Sequence, residues 1–232
     1  MSKTRRERLR EKTGAEIKQV ARQQMATVGA AALSLRGIAR EMGMSAPALY
    51  RYFDSRDALV TELIIEAYID LAVAMETAVH PLSTTDHGAR FRAVTAAYRE
   101  WAITHPQDYT LIYGTPIPGY EAPRERTVAP AARVNIAIGT VLAPALQDDR
   151  LTMPAAYTNL PAGLQQSLED LAAYLEEQAV SPAIILLTIY VWSRLHGLIW
   201  GELHEHFAPH IADSGELFQV EIEAICQQLS LD

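Results

Sequence analysis

Between Ser34 and Arg56 the chain reads SLRGIAREMGMSAPALYRYFDSR, a run of hydroxyls, phenols and guanidinium groups set among small and apolar residues. Arg, Tyr and Ser side chains are ordinary hydrogen-bond partners of phosphate oxygens. Their spacing here suits a helix-turn-helix. Two short helices that cross steeply need a small residue at the crossing and a turn residue that tolerates a left-handed backbone. Ala39 supplies the first and Gly43, four residues later, the second; Ile38, Met44 and Leu49 give the unit an apolar inside. Ser45, Ala46, Pro47, Ala48, Tyr50 and Arg51 then stand on or near the open face of the second helix. The N-terminal end of that helix can enter a major groove. An ordinary αα-hairpin has similar spacing, so charge becomes the second observation.

The net charge of −8 hides a strong asymmetry. Residues 1–60 hold twelve Lys and Arg against six acids, a balance of +6, while residues 61–232 hold eight Arg against twenty-two acids, a balance of −14. A basic head on an acidic body points to a polyanion partner for the head alone. A solvated basic surface would give the same count, because net charge reports attraction and not specificity.

The elements that must position these groups read as helices throughout. Apolar residues recur at three- and four-residue spacing, and no stretch alternates cleanly enough for a strand. Thr13 and Glu16 spell a capping box opening a helix with Ile17, Val20, Ala21 and Met25 on one face and Gly29 at its end. Ser34 caps a second helix from Leu35 to Met42, and Ser45 a third, with Pro47 in its first turn and a body of Ala48 to Phe53. Asp54 or Ser55 starts a long fourth, carrying Leu59, Leu63, Ala67, Leu71 and Met75. Phe91, Val94, Tyr98 and Trp101 mark a helix that stops near His105-Pro106. Residues 114–130 and 144–161 are proline-rich and read as irregular, with helix between about Val128 and Leu142. Leu164, Leu168, Leu171 and Leu175 give one further face. Ser181-Pro182 opens a helix running to about His206, and Phe218, Ile222, Ile225 and Leu229 mark the last.

The run Leu35-Arg36-Gly37-Ile38-Ala39, then Gly43, then Ala48-Leu49-Tyr50-Arg51-Tyr52-Phe53-Asp54-Ser55-Arg56-Asp57-Ala58-Leu59 closely resembles the DNA-binding head of the TetR/AcrR regulators. The resemblance implies an all-α homodimer: a three-helix head over residues 13–60, a connecting fourth helix continuing to about residue 78, and a ligand-binding and dimerisation domain over 61–232. It also implies that Tyr50, Tyr52 and Arg56 contact phosphate and that Ser45 to Ala48 face bases; Arg36 and Arg51 complete the expected DNA-binding set. Where the family usually shows His and Lys, this chain has Tyr52 and Arg56, both able to bond phosphate. Trp192, His196 and Gly197, in WSRLHGLIWGEL, resemble the Trp-His-Gly motif of one C-terminal subfamily. Trp192 and His196 lie one turn apart on one helical face; a ligand contact and a packed core histidine both fit.

Other residue types are weaker guides. Tyr68, Tyr98, Trp101, Tyr109 and Tyr113 suit the wall of an apolar pocket or simply a core. Tyr68, Tyr98, Trp101, Tyr113, Trp192 and His196 are taken as the ligand-binding set. Arg133 and Asn135 interrupt VNIAIGTVL, where a buried polar group would anchor a ligand and an exposed one would not. Glu202, His204, Glu205, His206 and His210 hold metal-ligand chemistry, but the segment is not HExxH and equally fits a solvated helix end. No phosphate-binding glycine loop or nucleophile elbow is present, so no catalytic residue and no cofactor is expected.

Composition bounds the rest. With 49% hydrophobic residues, the chain has enough apolar content for a packed core, which excludes disorder as its main state. Cys226, the single cysteine, lies in an apolar-periodic segment and is expected to be a buried thiol. The basic opening is not followed by a signal-type apolar stretch, and the longest apolar run, residues 183–192, is half a membrane span. The expected protein is a cytoplasmic regulator without membrane contact. Its partners would be an operator in double-stranded DNA, an apolar or aromatic small-molecule effector, and a second copy of itself. Rival readings are a helical enzyme or metal-binding protein, and a non-specific architectural DNA binder.

Overall fold

The computed structural model describes residues 4–175 and 180–231, so Lys3 of the basic head lies outside the described residues. Among the described residues ten α-helices follow one another: α1 Arg5–Val28, α2 Leu35–Glu41, α3 Ala46–Tyr50, α4 Arg56–Val79, α5 His87–Thr104, α6 Pro106–Tyr113, α7 Arg124–Gln147, α8 Ala162–Tyr174, α9 Pro182–Leu203 and α10 Ser214–Leu229. Single 3-10 turns stand at Ala30–Ala32 and Ala155–Tyr157. Among the described residues the fold is all-α, with an N-terminal helix-turn-helix head and a larger C-terminal helical bundle.

Helix α1 begins earlier than its sequence suggests. Two T-x-x-E boxes stand nine residues apart, and the first is the one that caps: Thr4 accepts from Glu7 N at 3.2 Å, while Thr4 N donates to Glu7 at 2.7 Å. The helix then runs through Thr13 and Gly14 without a break. It stops at Gly29, whose φ of 79° is open to glycine at little cost.

The chain divides into two compact units, one of Met1–Tyr68 with His105–Pro130, the other of Ile69–Thr104 with Ala131–Asp232. Segment 105–130 thus folds with the helix-turn-helix, although by sequence it sits inside the larger C-terminal region. The core of the first unit explains why. Ile17, Ala21, Ile38, Leu49, Leu59 and Leu63 are fully buried, and Leu111, Ile112, Ile117 and Tyr120 pack against them. Polar ties reinforce the cover: Thr61 and Tyr120 hydroxyls lie 2.9 Å apart, Arg126 pairs with Glu62, and Arg22 on α1 binds Asp108 on α6.

In the second unit the buried faces are Phe91, Val94, Tyr98 and Trp101 of α5, Val134, Ile138, Val141 and Leu142 of α7, Leu187, Val191, Leu195 and Ile199 of α9, and Phe218, Ile222, Ile225 and Leu229 of α10. Cys226 is buried and outside any disulfide. Helices α7 and α9 are long and apolar enough to cross a membrane by length and composition. Their apolar faces line the core of this unit, and two of their charges are paired, Arg133 with Glu76 and Glu202 with Arg99.

Two proline-containing stretches differ from their sequence reading. Helix α7 runs through Pro130 and Pro144, starting four residues before and ending five residues after the span 128–142 that its periodicity suggests. Helix α6 starts on Pro106, where a missing N–H costs nothing because the first turn has no partner for it. In α8 only Leu168 of the leucine face is buried; Leu164 and Leu171 are exposed.

Candidate nucleic-acid interface

The helix-turn-helix is built as a rigid corner. Ser34 caps α2 through Gly37 N at 3.3 Å, and Gly43, with φ 64°, turns the chain so that Met44 N reaches back to Ala39 O at 2.8 Å. Ala39 is 2% exposed and lies at the crossing of α2 and α3, which pack directly on each other. Leu49 is the residue of α3 that faces inward, wholly buried beside Ile38. This single anchor leaves the rest of a five-residue helix outward.

Each sequence-predicted residue has a definite place on this corner. Ser45 is the N-cap of α3 and is exposed, with no capping bond to hold its hydroxyl. Pro47 is exposed in the first turn, and Ala46 and Ala48 are half-buried on its flanks. Tyr50 is 42% exposed, and Arg51 and, on α2, Arg36 are exposed as well. Tyr52 is half-buried with its ring against the head core. Arg56 is the exception among them. Its Nη2 donates to the carbonyls of Ala30 and Ala31 at 3.1 and 3.0 Å, and its Nη1 reaches Asp57 at 3.3 Å. This guanidinium closes the turn between α1 and α2, a role that spacing alone did not reveal.

The six aromatic and histidine residues expected at a ligand site are divided between the two units. Tyr68 and Tyr113 belong to the first, where their rings meet edge to face at 5.9 Å and Tyr68 donates to Ile112 O at 3.2 Å. Burial pushes the Tyr68 phenol above its ordinary range, so it stays a donor. Tyr98, Trp101, Trp192 and His196 belong to the second. Tyr98 and Trp101 are core residues, 0% and 5% exposed. Trp192 and His196 stack at 5.1 Å on a half-buried face of α9, and the series continues: His196 to Trp200 at 6.0 Å, Trp200 to His204 at 3.8 Å. Trp200 and His204 are missed by a motif of three residues, although the i, i+4 period from Trp192 could have found them. Arg133 pairs with Glu76, and Asn135 is exposed. His204, His206 and His210 are exposed. Among the described residues no group of three or more His, Cys, Asp or Glu stands close enough to hold a metal ion.

A head of one long and two short helices, with one anchored corner and a solvent-facing α3, joined to a larger helical bundle defines a helix-turn-helix regulator. Comparison with known proteins agrees along the whole chain. Residues 17–63 match the family described as bacterial regulatory proteins, tetR family, and residues 91–225 match the tetracyclin repressor-like C-terminal domain. The HTH-type transcriptional regulator Rv1816 of Mycobacterium tuberculosis (strain ATCC 25618 / H37Rv) is 33% identical over 95% of this chain and 94% of its own. The crystal structure of SCO4313 is similar with a TM-score of 0.76 and 38% identity, covering 95% of this chain and 98% of that one. The fold is also that of the TetR-family regulator PfmR from Thermus thermophilus, at a TM-score of 0.60 and 17% identity over 91% and 97% of the two chains. This chain belongs to the TetR family of transcriptional regulators.

Proposed function

We propose that this chain is a cytoplasmic repressor that binds a palindromic operator as a homodimer and is released by a small-molecule inducer. The observation that carries the reading is the α2–α3 corner, where buried Ile38, Ala39 and Leu49 and the left-handed Gly43 present α3 to solvent. Ser45, Ala46, Pro47 and Ala48 face base edges, and Arg36, Tyr50, Arg51, Tyr52 and Arg56 engage phosphates. Proline and two alanines offer few hydrogen bonds, so thymine-methyl contacts and DNA shape carry much of the readout.

A head this small covers one short half-site, so specificity calls for two heads about one helical turn apart, roughly 34–36 Å. The isologous interface is assigned to α9 and α10. Ile189 on α9 and Val220 on α10 are exposed at 47% and 68%, and the open side of Gly197 would let a second backbone approach. In this reading Trp192, His196 and Gly197 mark the Trp-His-Gly branch of the family. The ring series on α9 is the surface for an apolar or aromatic effector, with Tyr98 and Trp101 behind it in the core and Tyr68 and Tyr113 acting within the first unit.

Affinity selection from a random duplex pool, followed by sequencing, tests the reading. The expected product is a two-fold symmetric sequence favoured over bulk DNA by at least about a thousandfold. Retention of all sequences alike would make the protein an architectural binder and overturn it. An effector that raises the melting temperature should weaken operator affinity by about 5–150-fold.

A further inference from the structure

The first two turns of α1 were not part of the expected head, and they stand against the recognition corner. A groove of about 610 Å³ opens between them and α3. Arg6 and Arg10 line it from α1, and Ala48, Arg51 and Tyr52 from the helix-turn-helix side. Arg10 is linked to the corner directly, its Nη2 donating to Arg51 O at 3.5 Å. Three guanidinium groups therefore meet one carboxylate, Glu7, which already accepts from the Thr4 backbone in the capping box. No carboxylate among the described residues pairs with Arg6 or Arg10.

The neighbouring groove shows that this balance is local. It holds about 580 Å³ further along α1, where Glu7, Glu11, Asp54 and Glu62 outnumber Arg10, Lys18 and Arg126. A polyanion is repelled from the second groove and attracted to the first. The first groove also shares Ala48, Arg51 and Tyr52 with the residues assigned to DNA, so a strand seated there continues along the same face.

We propose that the groove between the start of α1 and α3 seats a segment of the DNA phosphate backbone, with Arg6 and Arg10 as phosphate ligands beyond the helix-turn-helix. The proposal rests on the reading of this chain as a sequence-specific DNA binder. Both side chains are exposed, so their removal should leave the head folded. The added contacts lengthen the footprint outside each half-site and carry no base information, since phosphates position the protein without specifying sequence.

The test uses the full chain and the duplex that the unmodified protein selects from a random pool. Binding of Arg6→Ala, Arg10→Ala and the double variant is followed across salt concentrations, beside the charge-matched control Arg5→Ala, Arg8→Ala, whose residues lie outside the groove. Loss of each groove arginine should reduce the log–log salt slope by about 0.9 per phosphate contact, with base preference and melting temperature unchanged. Ethylation interference should lose a protected phosphate just outside the half-site. An unchanged slope in the double variant, or an equal fall in the control, overturns the proposal while leaving the regulator reading intact. Failure of the unmodified protein to select any duplex counts against that reading instead.

Discussion

Arg22 on α1 sets its Nε 2.9 Å from both carboxylate oxygens of Asp108 on α6, 86 residues further along the chain. Asp108 is 5% exposed, and Arg22 is the counter-charge of this nearly buried carboxylate. Glu66 on α4 joins the pair, accepting from Arg22 at 3.4 Å and from Lys18. Stranding one member of a buried pair costs several kcal/mol, mostly the desolvation of the group left behind. Asp108→Ala should therefore destabilise the chain by about 3 kcal/mol, the low end of that range, because Arg22 keeps Glu66. Joint replacement by Asp108→Leu and Arg22→Met should recover much of the loss. Urea unfolding followed by circular dichroism checks both, and a single-variant cost below about 0.5 kcal/mol would show the pair to be idle.

The turn-closing role of Arg56 and the phosphate role proposed for it separate experimentally. Arg56→Ala leaves the Ala30 and Ala31 carbonyls without this donor and should cost about 1–2 kcal/mol of stability. It should also weaken binding to every duplex and lower the salt slope by about one unit through the proposed phosphate contact. Arg56→Lys keeps the charge but not the fork that spans two carbonyls, so it should melt lower with the slope retained. A full slope in the Ala variant would confine Arg56 to the turn.

The dimer prediction uses exposed positions. Leu195 and Ile222 are 0% and 5% exposed, so a charge there would disrupt the bundle itself. Ile189→Glu and Val220→Glu place the charge on the open side and should give a folded monomer with unchanged helix content. Light scattering at micromolar concentration should report a dimer for the unmodified chain. A folded monomer at that concentration would remove the basis for a palindromic operator.

Burial holds the His196 imidazole below its ordinary range. The unfolded chain then binds more protons at this ring than the folded chain does, and stability rises with pH wherever that is so. The contribution of His196 is therefore fully present above the ordinary value of about 6.5 and is lost as pH falls towards the depressed folded value. His196→Gln should flatten the decline of melting temperature between about pH 7 and pH 5 relative to the unmodified chain. Identical profiles for the two would place the ring in water.

The corner was legible because its chemistry is local. Gly43, Ser34 and Ala39 each answer to a single turn, cap or crossing, and short-range spacing reports such needs directly. Helix α1 was not, since Thr4–Glu7 and Thr13–Glu16 spell the same cap and nothing nearby says which is used. Segment 105–130 was misleading for a different reason. Its prolines describe the local backbone, while its position depends on Asp108, Ile117 and Tyr120 finding Arg22, the head core and Thr61 at long range. Arg56 shows the same limit, because a guanidinium suited to phosphate is equally suited to a pair of carbonyls.

The cover that residues 105–130 give the head bears on how this regulator can be recombined. A chimera that joins residues 1–60 to another effector domain leaves Ile112, Ile117 and Tyr120 behind, and with them the lid over Leu59 and its neighbours. It also leaves Asp108, so Arg22 would travel without its counter-charge. The transferable module is discontinuous, and a graft of the DNA specificity must carry both stretches or redesign the surface that the second one covers.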